Sequence, residues 1–339
     1  MTPVIPVFME SCDWLDFIAP ALKLRSDWPF ETVFVDSALG VDRLIEALNN
    51  TQSPVLITGW NVFNLPDTLP DLAPRLRYIA SSGGSVRWMV SRAILERGIL
   101  ITNWGSAIGR LVAEHCLLQI LACLREAAYH QLSMHRDREW DDRPWDAASG
   151  RGPRSLFGRR VGIHGFGHIA QALVKLLEPF QCHIAAFAPH DPPEKFSAAG
   201  VTRAPSLEAL FSENEIIVEL APLIPETRGI VTWDILNRLP DGGVFVNSGR
   251  GKVVDEAALA RLATERKVSL ALDVYADEPL PADSPLRGLP NVFLTPHIAG
   301  PTADRRVDCG LFALENVRAY LEGRPLKGVV DLWQYDHMT

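Results

Sequence analysis

The sequence predicts an α/β protein with two parallel sheets, one of them doubly wound and inserted into a second α/β domain. Short β-branched runs alternate with helical patterns between residues 31 and 104, and a second alternating series occupies residues 161–294. Alternating strands and helices produce parallel sheets, because each helix returns the chain to the edge where the preceding strand began. The 339 residues also exceed the roughly 250–300 that one hydrophobic core organises. We therefore expect two domains.

The first series predicts four strands separated by helical segments. The strands are Thr32–Val35, Val55–Thr58, Arg77–Ala80 and Ile99–Thr102, and the helices run through Asp42–Asn49 and Val90–Arg97. Residues Gly109 to about Ala128 are apolar on more than one face, which predicts a largely buried helix. Residues 134–160 are polar and rich in Arg, Asp, Trp, Pro and Gly, which predicts a long connection.

The second series predicts the doubly wound sheet. Its strands are Val161–Ile163, His183–Phe187, Ile216–Leu220, Val244–Val246, Leu270–Val274 and Val292–Leu294, with helices starting at Ile169, Ser206, Thr232 and Asp255. A last helix, at about 303–322, has apolar residues every three or four positions and must pack that face against something. Since no further domain follows it, we expect it to return to the first domain.

Composition and charge exclude several classes of function. The 33 basic and 41 acidic residues give a net charge of −8, which repels nucleic acids and anionic membranes. No stretch approaches the ~20 apolar residues of a membrane span, and the N-terminus lacks the basic start of a secretory signal. The five cysteines are scattered, which predicts reduced thiols and no metal centre. We expect a cytoplasmic protein without a nucleic-acid or membrane partner.

A glycine-rich segment, V-G-I-H-G-F-G-H-I-A, joins the first strand of the second series to its helix. In a dinucleotide site of this kind, Gly165 permits the tight turn and Gly167 lets the backbone around Phe166 approach a pyrophosphate. The amides of His168 and Ile169 then face the anion at the helix N-terminus. A glycine-rich turn that binds nothing is the alternative. His164, just before the turn, is interpreted as a packed histidine.

The next strand ends at Phe187, and Ala188 takes the position where an acid usually holds the adenosine ribose. Asp191 follows three residues later, behind Pro189, and is not assumed to reach back. No arginine directly follows the strand, although His190 and Lys195 are close in sequence. The choice between NAD and NADP stays open, and we expect weak discrimination.

Three later segments, N-S-G-R-G at 247–251, D-V-Y-A-D-E-P at 273–279 and T-P-H-I-A-G at 295–300, complete the pattern. Together with the glycine-rich segment, the chain from about Leu76 to about Val330 resembles the D-isomer-specific 2-hydroxyacid dehydrogenases. The resemblance implies that Arg250 binds the substrate carboxylate, that His297 exchanges a proton with the substrate oxygen, and that Glu278 orients His297. These residue types suit the chemistry, because a guanidinium matches a planar carboxylate and imidazole titrates near neutral pH.

The resemblance also implies roles for residues around this trio. Asp273 would accept a hydrogen bond from the nicotinamide carboxamide, and the cofactor would be lined by Leu220, Ala221, Pro222, Thr227, Ser248 and Gly249. Backbone amides of Gly83, Gly84 and Ser85 would bind the substrate carboxylate. The family commonly has glycine at Ser85 and aspartate at Arg87, so this loop departs from the pattern. Arg87 is either a surface residue or a second anion contact.

The implied protein is an NAD(P)-dependent dehydrogenase that interconverts 2-oxo and 2-hydroxy acids, with the D isomer expected. Residues 109–297 would form a Rossmann-type dinucleotide domain inserted in a flavodoxin-like substrate domain made of residues 1–108 and 298–339. A homodimer is implied, built on the helix after Gly109 and the connection that follows, where Trp140 or Trp145 could reach the neighbour.

Other activities within the same family stay open at this point. Its transcriptional corepressors keep the trio and use dinucleotide binding to control protein contacts, and turnover distinguishes them from the enzymes. Its formate dehydrogenases carry glutamine where Glu278 stands, which argues against that activity, whereas phosphite oxidation stays open.

Overall fold

Two all-parallel sheets organise the chain, and each lies in its own unit. The computed structural model describes residues 2–62, 64–140 and 152–338. The first unit comprises residues 1–108 and 301–339, and the second comprises residues 109–300. The second unit thus extends three residues past 297, because Asp273 binds the amides of Ile298 and Ala299 and holds them against its sheet.

The first unit contains a five-stranded sheet in the order β2-β1-β3-β4-β5. Its strands are β1 (Val4–Met9), β2 (Glu31–Asp36), β3 (Val55–Thr58), β4 (Tyr78–Ser81) and β5 (Leu100–Thr102). The helices are α1 (Ser11–Asp13), a π-helical turn at Trp14–Ile18, α2 (Ala19–Leu24), a 3-10 turn at Ser37–Leu39, α3 (Val41–Thr51), α4 (Leu69–Leu72) and α5 (Arg92–Glu96). The patterns had not predicted β1, although it pairs with both β2 and β3; Pro6 lies inside it, and proline ordinarily argues against an interior strand.

The second unit contains a seven-stranded sheet in the order β12-β11-β10-β9-β6-β7-β8. Its strands are β6 (Arg160–His164), β7 (His183–Phe187), β8 (Thr202–Arg203), β9 (Ile216–Glu219), β10 (Val244–Asn247), β11 (Ser269–Leu272) and β12 (Val292–Leu294). The order reverses between β6 and β9, so the sheet is doubly wound and has its switch point there. The predicted α/β class is confirmed.

The helices of the second unit are α6 (Gly109–Leu124), α7 (Ala127–Gln131), α8 (His168–Leu177), α9 (Pro193–Ala198), α10 (Leu207–Glu213), α11 (Trp233–Leu236) and α12 (Glu256–Glu265). Short turns of other kinds lie at Leu132–Asp137 (π), Glu178–Phe180 (3-10) and Gly251–Val253 (3-10). The helix predicted to reach Ala128 stops at Leu124, because Glu126 adopts a left-handed conformation with φ of 52°. Trp145, in the polar connection, lies outside the described residues.

The C-terminal part of the first unit consists of α13 (Arg306–Leu321) and α14 (Leu332–His337). Gly310 lets α13 approach the π-helical turn at 14–18, since a Cβ there would lie 1.8 Å from the carbonyl oxygen of Phe17. The C-terminal segment also explains Arg87, which lies over the Tyr335 ring and donates to the Met338 carbonyl. Arg87 is therefore held by its own unit.

Three further features of the fold bear on function: the cysteines, the lengths of the helices and the arrangement of possible metal ligands. Cys116, Cys123 and Cys309 are buried, which raises the pKa of each thiol to about 12. Across the described ranges, no helix has the length and apolar character needed to cross a bilayer. The same ranges hold no group of three or more His, Cys, Asp or Glu residues arranged to bind a metal ion.

Candidate active site

The glycine-rich turn lies at the switch point, between the ends of β6 and β9. Gly165 has φ of +88°, and a Cβ there would lie 2.7 Å from the Leu220 carbonyl oxygen, so only glycine fits. Gly167 is exposed, a Cβ added to it would meet no atom within 4 Å, and it precedes α8 as an N-cap residue without a side-chain cap. The amides around His168 and Ile169 are consequently open to an anion, and this cradle fits the pyrophosphate of a dinucleotide.

Phe166, within the turn, has its side chain buried. Its ring stacks on Phe196 with centroids 4.9 Å apart and an interplanar angle of 10°. Only the backbone of Phe166 is thus available to a ligand. The aromatic pair anchors the turn to α9.

The segments predicted to line the cofactor follow β9 and β10. Leu220 donates its amide to the His164 carbonyl at 2.8 Å, and Ala221 lies against Gly165. Thr227 accepts from the Ile224 amide and donates to the Pro222 carbonyl, which closes the 222–227 loop.

After β10, Ser248 donates its hydroxyl to the side-chain oxygen of Gln119 at 2.6 Å, and the Gly249 amide donates to the Asn247 side chain. These bonds fix the turn that presents Arg250. The Thr227 and Ser248 hydroxyls, both predicted to face the cofactor, already hold protein partners.

Glu278 and His297 form a direct pair. Nδ1 of His297 lies 2.6 Å from Oε2 of Glu278, and the other carboxylate oxygen accepts the Tyr275 amide at 3.0 Å. Because a carboxylate can only accept, Nδ1 carries the proton and Nε2 is left as the exchangeable nitrogen. The imidazole is 47% exposed, so a substrate can reach it.

The backbone at His297 is constrained. His297 has φ of 53°, a left-handed conformation that is uncommon in residues other than glycine. Fully buried Asp273 stabilises the segment: its carboxylate accepts from the Thr295 hydroxyl at 2.6 Å and from the amides of Ile298 and Ala299 at 2.9 Å each. Both carboxylate oxygens of Asp273 therefore already accept hydrogen bonds from the protein, and the predicted contact with the nicotinamide carboxamide would have to be made in addition to these.

His115, on α6, completes this support. Its Nε2 lies 3.1 Å from the Thr295 hydroxyl oxygen, and since that hydroxyl donates to Asp273, Nε2 must be the donor. Burial lowers the pKa of His115, against a smaller opposite effect of the Asp273 charge. The His115 imidazole thus supports the segment that carries His297 by donating to Thr295.

Arg250 follows β10 and is partly buried. Its Nη1 donates to the Gly249 carbonyl at 2.7 Å. Burial lowers the pKa of Arg250, and the nearby Glu278 charge counteracts this. Gly251 presses the turn against the next strand end, because a Cβ there would lie 1.9 Å from the Tyr275 carbonyl carbon. The structure thus brings all three predicted catalytic residues to neighbouring strand ends of one sheet.

A cavity of about 580 Å³ opens beside the pair, lined by Tyr275, Glu278, Pro279, Leu280, Arg287, Leu294, Thr295, Pro296 and His297. Arg287 donates to the carbonyls of Leu280 and Pro281, which holds the loop that forms one wall. The exposed imidazole thus adjoins an open cavity.

The predicted substrate loop follows β4 in the first unit. The Gly83 amide donates to the Ser81 hydroxyl at 3.1 Å. Gly84 packs so closely on Trp104 that a Cβ would lie 2.3 Å from that ring. Within the described residues, no acceptor meets the amides of Gly84 and Ser85, so the loop offers two amide donors where three had been predicted.

Sequence reasoning missed a buried hydrogen-bonded pair beneath the glycine-rich turn. Nδ1 of His164 lies 2.6 Å from Oε2 of Glu219, and the two residues are 3% and 0% exposed. The second carboxylate oxygen accepts the Ala221 amide at 2.8 Å. The signal in the sequence was a polar residue at the end of an apolar run in each strand, and the structure places these two residues opposite each other in the sheet.

Comparison with known proteins supports this site. Residues 117–299 match the model of the D-isomer specific 2-hydroxyacid dehydrogenase NAD binding domain, a span that contains the glycine-rich turn, Arg250, Glu278 and His297. The chain belongs to the D-isomer specific 2-hydroxyacid dehydrogenase family. The resemblance drawn from the motifs is thereby confirmed.

Individual members of the family show how far the similarity reaches. A hydroxyphenylpyruvate reductase of Plectranthus scutellarioides is 30% identical, and the alignment covers 76% of this chain and 79% of that one. A D-3-phosphoglycerate dehydrogenase of Mycobacterium bovis is 32% identical over 77% of this chain. The alignment covers 48% of that protein, so the chain spans about half the length of this relative.

Solved dehydrogenase structures share the fold of the whole chain. An NADPH-dependent glyoxylate/hydroxypyruvate reductase from Sinorhizobium meliloti, solved with citrate, superimposes with a TM-score of 0.74 at 26% identity. The match covers 99% of this chain and 100% of that one. Both units of this family member therefore have counterparts in a solved structure.

Proposed function

We propose that this protein is an oxidoreductase that interconverts a 2-oxo acid and its 2-hydroxy acid, the D isomer, with a nicotinamide dinucleotide. The observation that carries the proposal is the 2.6 Å contact between His297 and Glu278 at the edge of the dinucleotide sheet. A titratable imidazole held by a carboxylate and open to a pocket is the arrangement that reversible proton exchange with an alcohol requires.

Proton transfer is assigned to His297. Glu278 fixes the tautomer, so Nε2 is the nitrogen that gives its proton to the carbonyl oxygen during reduction, or takes it back from the alcohol. The positive imidazolium is stabilised by the Glu278 charge, the role of the acid in a hydrolase triad. Asp273 and His115 keep the His297 segment in its left-handed conformation and act as positioning residues.

Substrate binding is assigned to Arg250. A 2-oxo acid presents a planar carboxylate that the guanidinium fork binds with two parallel hydrogen bonds, and the same cation polarises the neighbouring carbonyl. The Gly84 and Ser85 amides are additional proposed donors to an anionic substrate.

Cofactor binding is assigned to the turn at Gly165–Ile169, to Ala188 and to the segments at 220–222, 227 and 248–249. The open Gly167 and the uncapped start of α8 support this assignment. When bound, the dinucleotide supplies or accepts the hydride. The matching family model is named for an NAD binding domain, and one similar reductase is named as NADPH-dependent, which is in keeping with either dinucleotide.

Oligomeric state and location form part of the same proposal. Leu118, Met134 and Trp140 expose 51%, 45% and 79% of their surface on and after α6, an apolar area suited to a second copy of the chain. We expect a homodimer, which light scattering after gel filtration would detect. The five free cysteines suit a reducing compartment such as the cytoplasm.

Turnover tests the proposal. We would follow the absorbance of NADH and NADPH in the presence of glyoxylate, pyruvate, hydroxypyruvate, an aromatic 2-oxo acid and an acidic one. Consumption with at least one of them, strongly reduced in His297→Ala, is the expected result. Dinucleotide binding without turnover on any of these acids would instead favour a corepressor-like role.

A further inference from the structure

Arg203 lies beside the turn that follows β7, although it belongs to the next strand. β8 pairs in parallel with β7, and Arg203 is opposite Ala186. Its Nη2 donates to the Pro189 carbonyl at 3.1 Å, and its guanidinium carbon lies 5.6 Å from the centre of the Phe196 ring. Two contacts from different residues therefore place this cation at the carboxyl end of β7.

The turn itself links Arg203 to the dinucleotide cradle. The Asp191 amide donates to the Ala188 carbonyl at 3.2 Å, which closes the turn. The Phe196 ring, over which the Arg203 guanidinium lies, stacks on Phe166 of the glycine-rich turn. The cation and the pyrophosphate cradle are consequently supported by one aromatic pair.

The charges around the turn are unevenly compensated. Nζ of Lys195 lies 2.8 Å from a carboxylate oxygen of Asp191, so these two charges neutralise each other. In the part of the chain that the structure describes, no carboxylate forms a salt bridge with Arg203. A guanidinium has five N–H donors, and the Pro189 carbonyl takes only one of them.

The end of the second strand is where doubly wound folds place the adenosine ribose. An acid at this position would bind the ribose hydroxyls of NAD and repel a 2′-phosphate, but the residue is Ala188. Building on the proposed function, we infer that Arg203 binds the 2′-phosphate of NADP(H) and that the protein selects NADP(H) over NAD(H). This selection replaces the weak discrimination expected from sequence, which considered only residues that directly follow the strand.

Equilibrium binding tests the inference without turnover. Isothermal titration calorimetry of the full chain would compare NADP⁺ with NAD⁺, and 2′,5′-ADP with 5′-AMP. We expect NADP⁺ and 2′,5′-ADP to bind at least about tenfold more tightly than their partners without the 2′-phosphate. The preference should shrink below about pH 6, where a phosphate monoester loses its second charge.

Variants assign the preference to Arg203. Arg203→Gln should weaken NADP⁺ binding roughly 10- to 100-fold and leave NAD⁺ binding unchanged, and Arg203→Lys should keep part of the preference. Arg160→Gln is the matched control, since Arg160 begins β6 and so lies at the amino end of an interior strand, away from the carboxyl end of β7. It should change neither affinity.

The outcomes separate this inference from the function on which it rests. Equal affinities of the wild type for NADP⁺ and NAD⁺ would overturn the inference. An equal loss of affinity for both dinucleotides in Arg203→Gln would also overturn it, because it would show that Arg203 only stabilises the turn. In either case, reduction of a 2-oxo acid would leave the proposed function standing. Failure to bind either dinucleotide would overturn both.

Discussion

The proposed role of Arg250 depends on the shape of its guanidinium as well as on its charge. Lysine would keep the positive charge but lose the planar fork that matches a carboxylate. We expect Arg250→Lys to lower kcat/KM by at least about tenfold for any accepted 2-oxo acid. Steady-state kinetics measure this, with Lys252→Arg as a neighbouring exposed control; kinetics of Arg250→Lys equal to those of the wild type would remove Arg250 from the site.

Glu278 acts on the reaction through His297. Glu278→Gln keeps the size of the side chain but removes the negative charge that favours the protonated imidazole. The limb of the pH–rate profile of reduction that depends on this proton should move to lower pH. Profiles of kcat/KM for wild type and variant would show the movement, and superimposable profiles would show that the pair does not govern proton transfer.

At the scale of elements, the His164–Glu219 pair joins the ends of β6 and β9 under the dinucleotide turn. Removing one partner leaves a buried charge without compensation, whereas replacing both by apolar residues removes the desolvation cost as well. We expect His164→Leu to lower the free energy of unfolding by about 3–5 kcal/mol.

The matched double variant makes this prediction specific. His164→Leu combined with Glu219→Met should recover most of that loss, leaving mainly the Ala221 amide without its acceptor. Urea unfolding of the three proteins provides the measurement. A double variant as unstable as the single one would show that packing, and not charge pairing, sets the cost.

Sequence reasoning located residues best where a recognisable motif comes soon after a strand. Glu278 and His297 could be predicted because each lies in a short motif at a strand end, and parallel strands bring such ends together. The position of Arg203 beside Pro189 could not, since it depends on the pairing of β7 with β8. The pairing partner of His164 was equally hidden, although the burial of both strands was evident.

For the molecule as a whole, the half-buried His115 makes the free energy of unfolding depend on pH. Burial lowers its pKa in the folded state, so as pH falls below the ordinary value of 6.5 the unfolded chain takes up this proton first. Stability should therefore decline on acidification through that range. Between pH 7.5 and 5.5, the free energy of unfolding measured with urea should fall less in His115→Gln than in the wild type. Substitution of the exposed His135 should leave the fall unchanged. An identical fall in the wild type and both variants would contradict the assignment to His115.

In the proposed reaction, His297 transfers the proton while the dinucleotide site stays intact without it. The most direct measurement pairs two readouts on wild type and His297→Ala: turnover of an accepted 2-oxo acid and calorimetric affinity for the dinucleotide. We predict a fall in kcat of roughly 10²–10⁴-fold with an unchanged dissociation constant. Turnover equal to that of the wild type, at unchanged dinucleotide affinity, would show that His297 is not the residue that transfers the proton.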